Sequence, residues 1–204
     1  MSAIVEAILF LGMQKLPLRG HRDSGPILLE TPAENGGNFR SLLRFREASR
    51  DQELNRHLFE NLEPTRRRYT SPDIQNELNS IIGELVQNHI VSKINAAGCF
   101  AVLADETTDI GGIEQFSLCA CYLVKTGNRY VLRENFLTFV TVQDRSGEGL
   151  SKTLLTSCEK LKLNMNFLCG QGYDGASAMR GHIRGCSAWI SHNPQALSIV
   201  RTTR

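Results

Sequence analysis

Two aspartates, Asp105 and Asp174, carry the residue type and setting that could do chemistry. Asp105 ends the apolar run "CFAVLAD" and is followed at once by Glu106, two threonines and Asp109. Asp174 stands beyond a second short apolar run, in "GQGYDGASAM". If these runs are neighbouring parallel strands, their ends meet and the two carboxylates converge. Carboxylates that close repel unless a cation neutralises them. A pair of divalent ions does so, and two metals can clamp the attacking and leaving oxygens of a phosphodiester. Mg2+ or Mn2+ is the ion such an oxygen-ligand pair implies. Gly170, Gly172 and Gly175 around Asp174 fit a loop whose backbone passes close to another group. A plainer reading stands beside this one: Asp105 with its neighbours closes an Asx-turn or caps a helix, and the glycines only turn the chain. Spacing alone leaves both open. Within the acidic cluster Asp109 reads as a turn residue, and Glu106 points to the opposite side from Asp105.

Rival chemistries lack their signatures. Aspartyl-phosphate formation wants two aspartates separated by one residue, which "DETTD" does not supply. No GxxxxGK or strand-linked GxGxxG is present, and no Ser-His-Asp or Cys-His grouping has a recognisable local pattern. The six cysteines, Cys99, Cys119, Cys121, Cys158, Cys169 and Cys186, form no CxxC pair and sit at no finger spacing with the five histidines, so no zinc site is expected. They read as buried free thiols in a reducing compartment, with Cys119 and Cys121 on one face of a strand. His182 and His192 read as solvent-facing helix positions.

The elements that must position the aspartates follow from periodicity. Residues 3–14 place Val5, Ile8, Leu9 and Met13 on a helical stripe, 20–36 read as loop, and two short helices follow. Ser71, Pro72 and Asp73 open a long helix, with Ile74, Leu78, Ile81, Ile82, Leu85, Ile90 and Ile94 on one face and Gly98 closing it. The period then changes. "CFAVLAD" is apolar on both faces like a central strand, and "EQFSLCACYLV" turns at Thr126–Asn128 into "RYVLRENFLTFVTV". A helix with Leu150, Leu154, Leu155, Cys158 and Leu161 inside comes next, then a short strand before Asp174 and a helix around Ile183, Trp189 and Ile190. The net charge of +2 demands no partner. Its distribution is more telling, because no acid follows Asp174 while Arg180, Arg184, Arg201 and Arg204 do. With the "RRR" of 66–68 these are either phosphate contacts or solvated surface. The apolar opening carries Glu6, no positive leader and no cleavage site, so it reads as a packing helix and the chain as not secreted. No stretch is long enough to span a membrane.

"RGHRD", "NFRSLLRF", "YTSPDIQNEL", "FAVLADETTD", "EQFSLCACYL" and "GQGYDGASAMRG", in that order, resemble the hAT-type transposase-derived proteins. These include the DUF4371 domain of zinc-finger MYM-type and TTF-type zinc-finger relatives and other domesticated transposases. The resemblance covers roughly residues 15–192. It implies an α/β, RNase H-like mixed sheet of three antiparallel strands followed by helix, strand and helix, behind a helical N-terminal region. The implied organisation is 1–98 helical region, 99–192 the N-terminal half of the RNase H-like core, and 193–204 a divergent tail. By motif, Asp105 matches the first-strand catalytic aspartate and Asp174 the aspartate after strand four. Arg180 and Arg184, by their charge alone, are the candidate nucleic-acid contacts. Relatives carry an N-terminal zinc finger, a helical insertion and a third carboxylate, none of which lies within these residues. The expectation is therefore a truncated, catalytically inactive domain with residual metal or DNA binding, nuclear by resemblance or cytoplasmic. Two alternatives remain open. One is a protein-interaction module or self-associating chain using an open sheet edge. The other is a metal-dependent nuclease completed by a longer isoform or another chain.

Overall fold

The computed structural model describes residues 2–21, 23, 25–28, 30, 32–60, 68–173, 186 and 190. The chain divides into two compact units, 1–84 and 85–204.

The first unit is helical. Helix α1 (Ser2–Met13) buries Ala3, Ile4, Ala7, Ile8 and Leu11. This face is rotated from the stripe that periodicity suggested: Met13 stays 78% exposed. Ile4, Ile8 and Leu11 form the buried i, i+4, i+7 stripe, and Ala3 and Ala7 complete that face. Phe39 and Leu43 of α2 (Asn38–Ala48) are fully buried in the same cluster. Arg46 of α2 ties the elements together. Its Nη1 donates to the Ala3 carbonyl at 3.2 Å and to Glu6 Oε2 at 2.9 Å, and its Nη2 lies 2.7 Å from Asp51 Oδ2. Asp51 in turn caps α3 (Gln52–Asn55), accepting from the Leu54 amide at 3.0 Å; a π-helical turn, Arg56–Glu60, continues it. The 20–36 stretch is loop among its described residues, organised by the buried Arg40. Its guanidinium donates to the carbonyls of Asp23, Gly25 and Pro26.

Helix α4 (Pro72–Ala97) begins and ends where its sequence signals lie. Ser71 precedes Pro72, and Gly98 takes φ +69°. Its two halves bury in different places: Leu78 and Ile82 pack on the first unit's core, while Ile90, Val91, Ile94 and Ala97 pack on the second's. That is why the boundary falls inside the helix. A single apolar face was the wrong expectation, since Ile81 and Leu85 are 47% and 65% exposed.

The second unit is a four-stranded mixed sheet of order β3-β2-β1-β4. Strand β1 (Phe100–Thr108) runs antiparallel to β2 (Glu114–Thr126), which turns through Gly127 and Asn128 into antiparallel β3 (Arg129–Thr141). Helix α5 (Gly147–Lys160) and a 3-10 turn (Met165–Phe167) lead to β4 (Leu168–Tyr173), parallel to β1. The helical N-terminal region, three antiparallel strands, helix and parallel fourth strand are the predicted α/β order. One sheet face is the core. Phe100, Val102, Ala104, Phe116, Leu118, Ala120, Tyr122 and Leu137 pack with Val91 and Ile94 of α4, and with Leu150, Leu154 and Cys158 of α5. Burying that set supplies most of the unit's drive to fold. A bulge lets β3 serve both faces: the register steps from Leu118–Thr138 to Cys119–Phe136 and skips Leu137. The skipped carbonyl accepts from Gln87 Nε2 of α4 at 2.8 Å. Phe136 and Phe139 fall on the other face with ring centroids 4.8 Å apart.

Candidate functional site

The antiparallel ladder sets Asp105 opposite Ser117, and Ser117 opposite Phe139, so these three form one row across the sheet. The row lies on the face away from the core, because Ala104 before it is buried and side chains alternate along a strand. Asp105 is exposed. Its carboxylate has no hydrogen-bond or ion-pair partner among the described residues, although its backbone carbonyl lies 3.5 Å from Ser117 Oγ. The next row holds Leu103, Cys119 and Phe136.

The acids of "DETTD" diverge. Glu106, one step on, belongs to the opposite face and lines a cleft of about 240 Å3 with Thr108, Glu114, Gln115, Val142 and Arg145. There Arg145 Nε donates to Glu114 Oε2 at 2.8 Å, so that acid is already paired. Asp109 closes the β1–β2 turn, its Oδ1 accepting from the Ile113 amide at 2.8 Å. Asp109 is thus the expected turn residue, Glu106 is turned away, and Asp105 alone remains on the open face.

Strand β4 decides what lies beside Asp105. The parallel register runs from Phe100–Leu168 through Ala101–Gly170 and Leu103–Gly172 to Ala104–Tyr173. The strands are therefore neighbours and parallel, the condition under which Asp105 and Asp174 were expected to converge. Asp174 itself, with Arg180, Arg184, His182, His192 and the 193–204 tail, lies outside the described residues. Gly170 and Gly172 belong to the strand and not to a loop. They share the open face with Ala101 and Leu103, and a methyl group on Gly172 would come within 2.7 Å of Leu103 Cδ2. Tyr173 points into the core, where its hydroxyl donates to Gln171 Oε1 at 2.9 Å. Burial, followed by the neighbouring Cys186 thiol, raises its pKa far above the usual phenol value. It is therefore a packing residue and not a base.

Asp105 is chemically suited to a divalent ion as an unpaired carboxylate on a rigid strand, which runs on three residues past it to Thr108 and so does not end at Asp105 as the sequence suggested. Among the described residues no group of three or more His, Cys, Asp or Glu side chains could hold a metal ion. The cysteines behave in two ways. Cys158 and Cys186 are buried, and burial pushes their thiols up to about 12 and about 11. Cys119 and Cys121 are half-buried on the open face and Cys99 is exposed, so the expectation of uniformly buried thiols is corrected. All are free. Sequence reasoning missed Asn95, whose side chain holds the turn before β4. Its Nδ2 donates to the Lys162 carbonyl at 2.9 Å, and its Oδ1 accepts from the Asn164 amide at 2.8 Å. A lone asparagine near a helix end gave no signal of that bond.

Comparison with known proteins agrees with this architecture. The model of the DUF4371 family, described as the ZMYM1/FAM200 RNase-like domain, matches residues 1–185. A mouse (Mus musculus) protein, the "52 kDa repressor of the inhibitor of the protein kinase", is 25% identical over 199 residues, covering 97% of this chain and 25% of that protein. The chain thus spans about a quarter of that relative's length. No helix among the described residues is long and apolar enough to cross a membrane. The helical region, the mixed sheet of order β3-β2-β1-β4 and the family match over residues 1–185 together place this chain in the DUF4371 family of transposase-derived, RNase-like domains.

Proposed function

We propose that residues 1–204 act as a nuclear DNA-associating domain that holds a divalent ion between Asp105 and Asp174 and does not cut DNA by itself. One observation carries the reading: the last described pair of the parallel β1–β4 ladder is Ala104–Tyr173, directly before Asp105 on one strand and before position 174 on the other. Gly170 and Gly172 add no side chains of their own to the face beside Asp105, and Leu103 covers Gly172 there. Bound Mg2+ or Mn2+ would supply charge neutralisation for phosphate oxygens. The chain's own part is to hold the carboxylates on neighbouring parallel segments of the sheet. Two carboxylates are fewer than the three the resemblance implies for cleavage, and losing one member of such a set costs orders of magnitude in rate. A regulatory role is in keeping with the relative's name as a repressor, and nuclear placement follows from a DNA-directed ancestry.

The test is Mn2+ titration followed by paramagnetic broadening of backbone amides, with plasmid nicking assayed in parallel. Broadening should centre on residues 104–107 and 173 and vanish in Asp105→Asn and Asp174→Asn, with no nicking. Broadening that survives both substitutions sinks the metal reading, and Mn2+-dependent nicking lost in Asp105→Asn would make the domain a nuclease. A second reading, a protein-interaction module, is favoured by Phe136 and Phe139, 48% and 56% exposed on the same sheet face. It predicts self-association or partner capture lost in Phe139→Ser with Mn2+ binding intact.

A further inference from the structure

At the other end of β1 from Asp105, the second unit has a cleft of about 460 Å3 where the C-terminal turns of α4 meet the β2–β3 hairpin. Two cations share the face of its Tyr122 wall or cross over it, Arg133 from β3 and Lys93 from α4, and Lys125 of β2 lines its rim from the alternate strand position. Among the described residues no aspartate or glutamate lines its wall. None of the three cations has an ion pair or side-chain hydrogen bond among the described residues, whereas Arg19, Arg46 and Arg145 are all engaged with carboxylates. The nearest acid in sequence, Glu134, pairs across to Cys121 and so belongs to the opposite face. Tyr122 in the cleft wall, 3% exposed, donates through its hydroxyl to Asn135 Oδ1 at 2.9 Å. That bond occupies the amide oxygen and leaves Asn135 Nδ2 as the atom available to donate into the cleft.

We propose that this cleft is a phosphate-binding site that takes two or more adjacent phosphate groups. Its size exceeds what one phosphate fills, and its donors are of the kinds that suit phosphate: a guanidinium able to bind two oxygens at once, two ammonium groups and a neutral amide. Ala97 brings in the end of α4, whose partial negative charge of about half an elementary charge works against an anion. The full positive charges of Lys93 and Arg133, with Lys125 at the rim, outweigh it. The cluster escapes a reading of the sequence because its members are far apart in the chain and flanked by ordinary polar residues; only the antiparallel pairing of Tyr122 with Arg133 unites two of them. The site does not depend on the aspartates, so it stands or falls separately from the metal reading.

Adjacent phosphates can come from a free polyphosphate or from a nucleic-acid backbone, and the experiment distinguishes the two. Residues 1–204 are titrated with sodium tripolyphosphate and, separately, with a short single-stranded oligonucleotide at physiological salt, following backbone and Asn135 side-chain amide shifts. Shifts should concentrate on Lys93, Lys125, Arg133 and Asn135. Affinity should fall about ten-fold in Lys93→Gln/Arg133→Gln and by less than about two-fold in the control Lys152→Gln/Lys160→Gln, which removes equal charge elsewhere. All four substituted positions are exposed, and circular dichroism checks that each variant is folded. Tripolyphosphate binding without oligonucleotide binding identifies a polyphosphate site. An oligonucleotide that displaces tripolyphosphate identifies a backbone site. Equal losses in the two double variants, shifts scattered over the surface, or no binding of either probe overturns the proposal.

Discussion

Gly172 of β4 lies opposite Leu103 of β1, and a methyl group added to it would come within 2.7 Å of Leu103 Cδ2. The glycine therefore makes room for a neighbouring side chain on the sheet face that carries Asp105. The atom in the way is the far end of a flexible side chain, so the strand can adjust. Gly172→Ala should cost about 1 kcal/mol or less. In a Leu103→Ala background the same change should cost nothing or stabilise, because the alanine then only restricts the unfolded chain. Urea denaturation of the two single variants and the double variant measures this. An equal cost in both backgrounds would show that Leu103 is not what the glycine accommodates.

Gly20 poses the contrasting case in the first unit. A methyl group there would meet backbone, 2.7 Å from Gly37 Cα and 2.9 Å from the Gly36 carbonyl carbon. The two segments are pinned together by the Phe39 amide donating to the Leu18 carbonyl at 3.1 Å. Gly37 itself sits at φ +90°, where a side chain is strained. Neither strand of chain can move without loosening the entry to α2. Gly20→Ala should cost about 2–4 kcal/mol, several times the cost at Gly172, in the same denaturation series. A loss no larger than at Gly172 would contradict the rigid-contact account.

How much of this was legible in the sequence depended on whether the signal was local. The Pro72 start and Gly98 end of α4, the Gly127–Asn128 hairpin and the buried side of α5 at Leu150, Leu154 and Cys158 were readable, since caps, turns and periodicity act over a few residues. The buried face of α1 was not, because residues 4–13 are apolar almost all round and offer two stripes, Val5–Ile8–Leu9 and Ile4–Ile8–Leu11, of which the second is the one buried. Gln75 was missed for a different reason. It is 1% exposed, donating from Nε2 to the Thr70 carbonyl at 2.9 Å, and no pattern of apolar residues marks a buried amide. At the site, alternation along β1 separated Asp105 from Glu106 in the sequence as it does in the fold. The basic cleft was invisible because it exists only through strand pairing.

Asp51 carries a pH-dependent contribution. The Leu54 amide, and after it the Arg46 guanidinium, hold its carboxyl below the ordinary 3.8 in spite of partial burial. The folded state thus gives up this proton more readily than the unfolded chain does. The resulting stability is fully present above the unfolded value and is lost as pH falls through the lower folded value. Asp51→Ala should lose about 1 kcal/mol at neutral pH and show a flatter acid limb below pH 4. Asp51→Asn keeps the helix cap and loses the ion pair, so its deficit should be smaller and should disappear in acid. Unfolding midpoints from pH 7 to pH 3 separate these outcomes. A parallel pH slope in Asp51→Ala and the parent would assign the acid limb to other carboxylates.

Asn95 is the residue by which α4 fixes the entry of β4, and so the register in which β4 runs beside β1. Its amide bonds the Lys162 carbonyl and the Asn164 amide, on either side of a turn in which Lys162 takes φ +60°. A left-handed lysine persists only if its neighbours hold it. Asn95→Ala removes one donor and one acceptor from a half-buried turn and should cost about 1–2 kcal/mol. Asn95→Asp keeps the acceptor for Asn164 but sets a carboxylate oxygen against the Lys162 carbonyl, and should be no better. Stability alone would not distinguish a pinning role from general packing, so hydrogen exchange is the deciding readout. The Asn164 and Leu168 amides should lose protection in Asn95→Ala, while Val102 and Leu118 in the centre of the sheet keep theirs. Uniform loss across the sheet would mean that Asn95 stabilises the unit as a whole and does not set the position of β4.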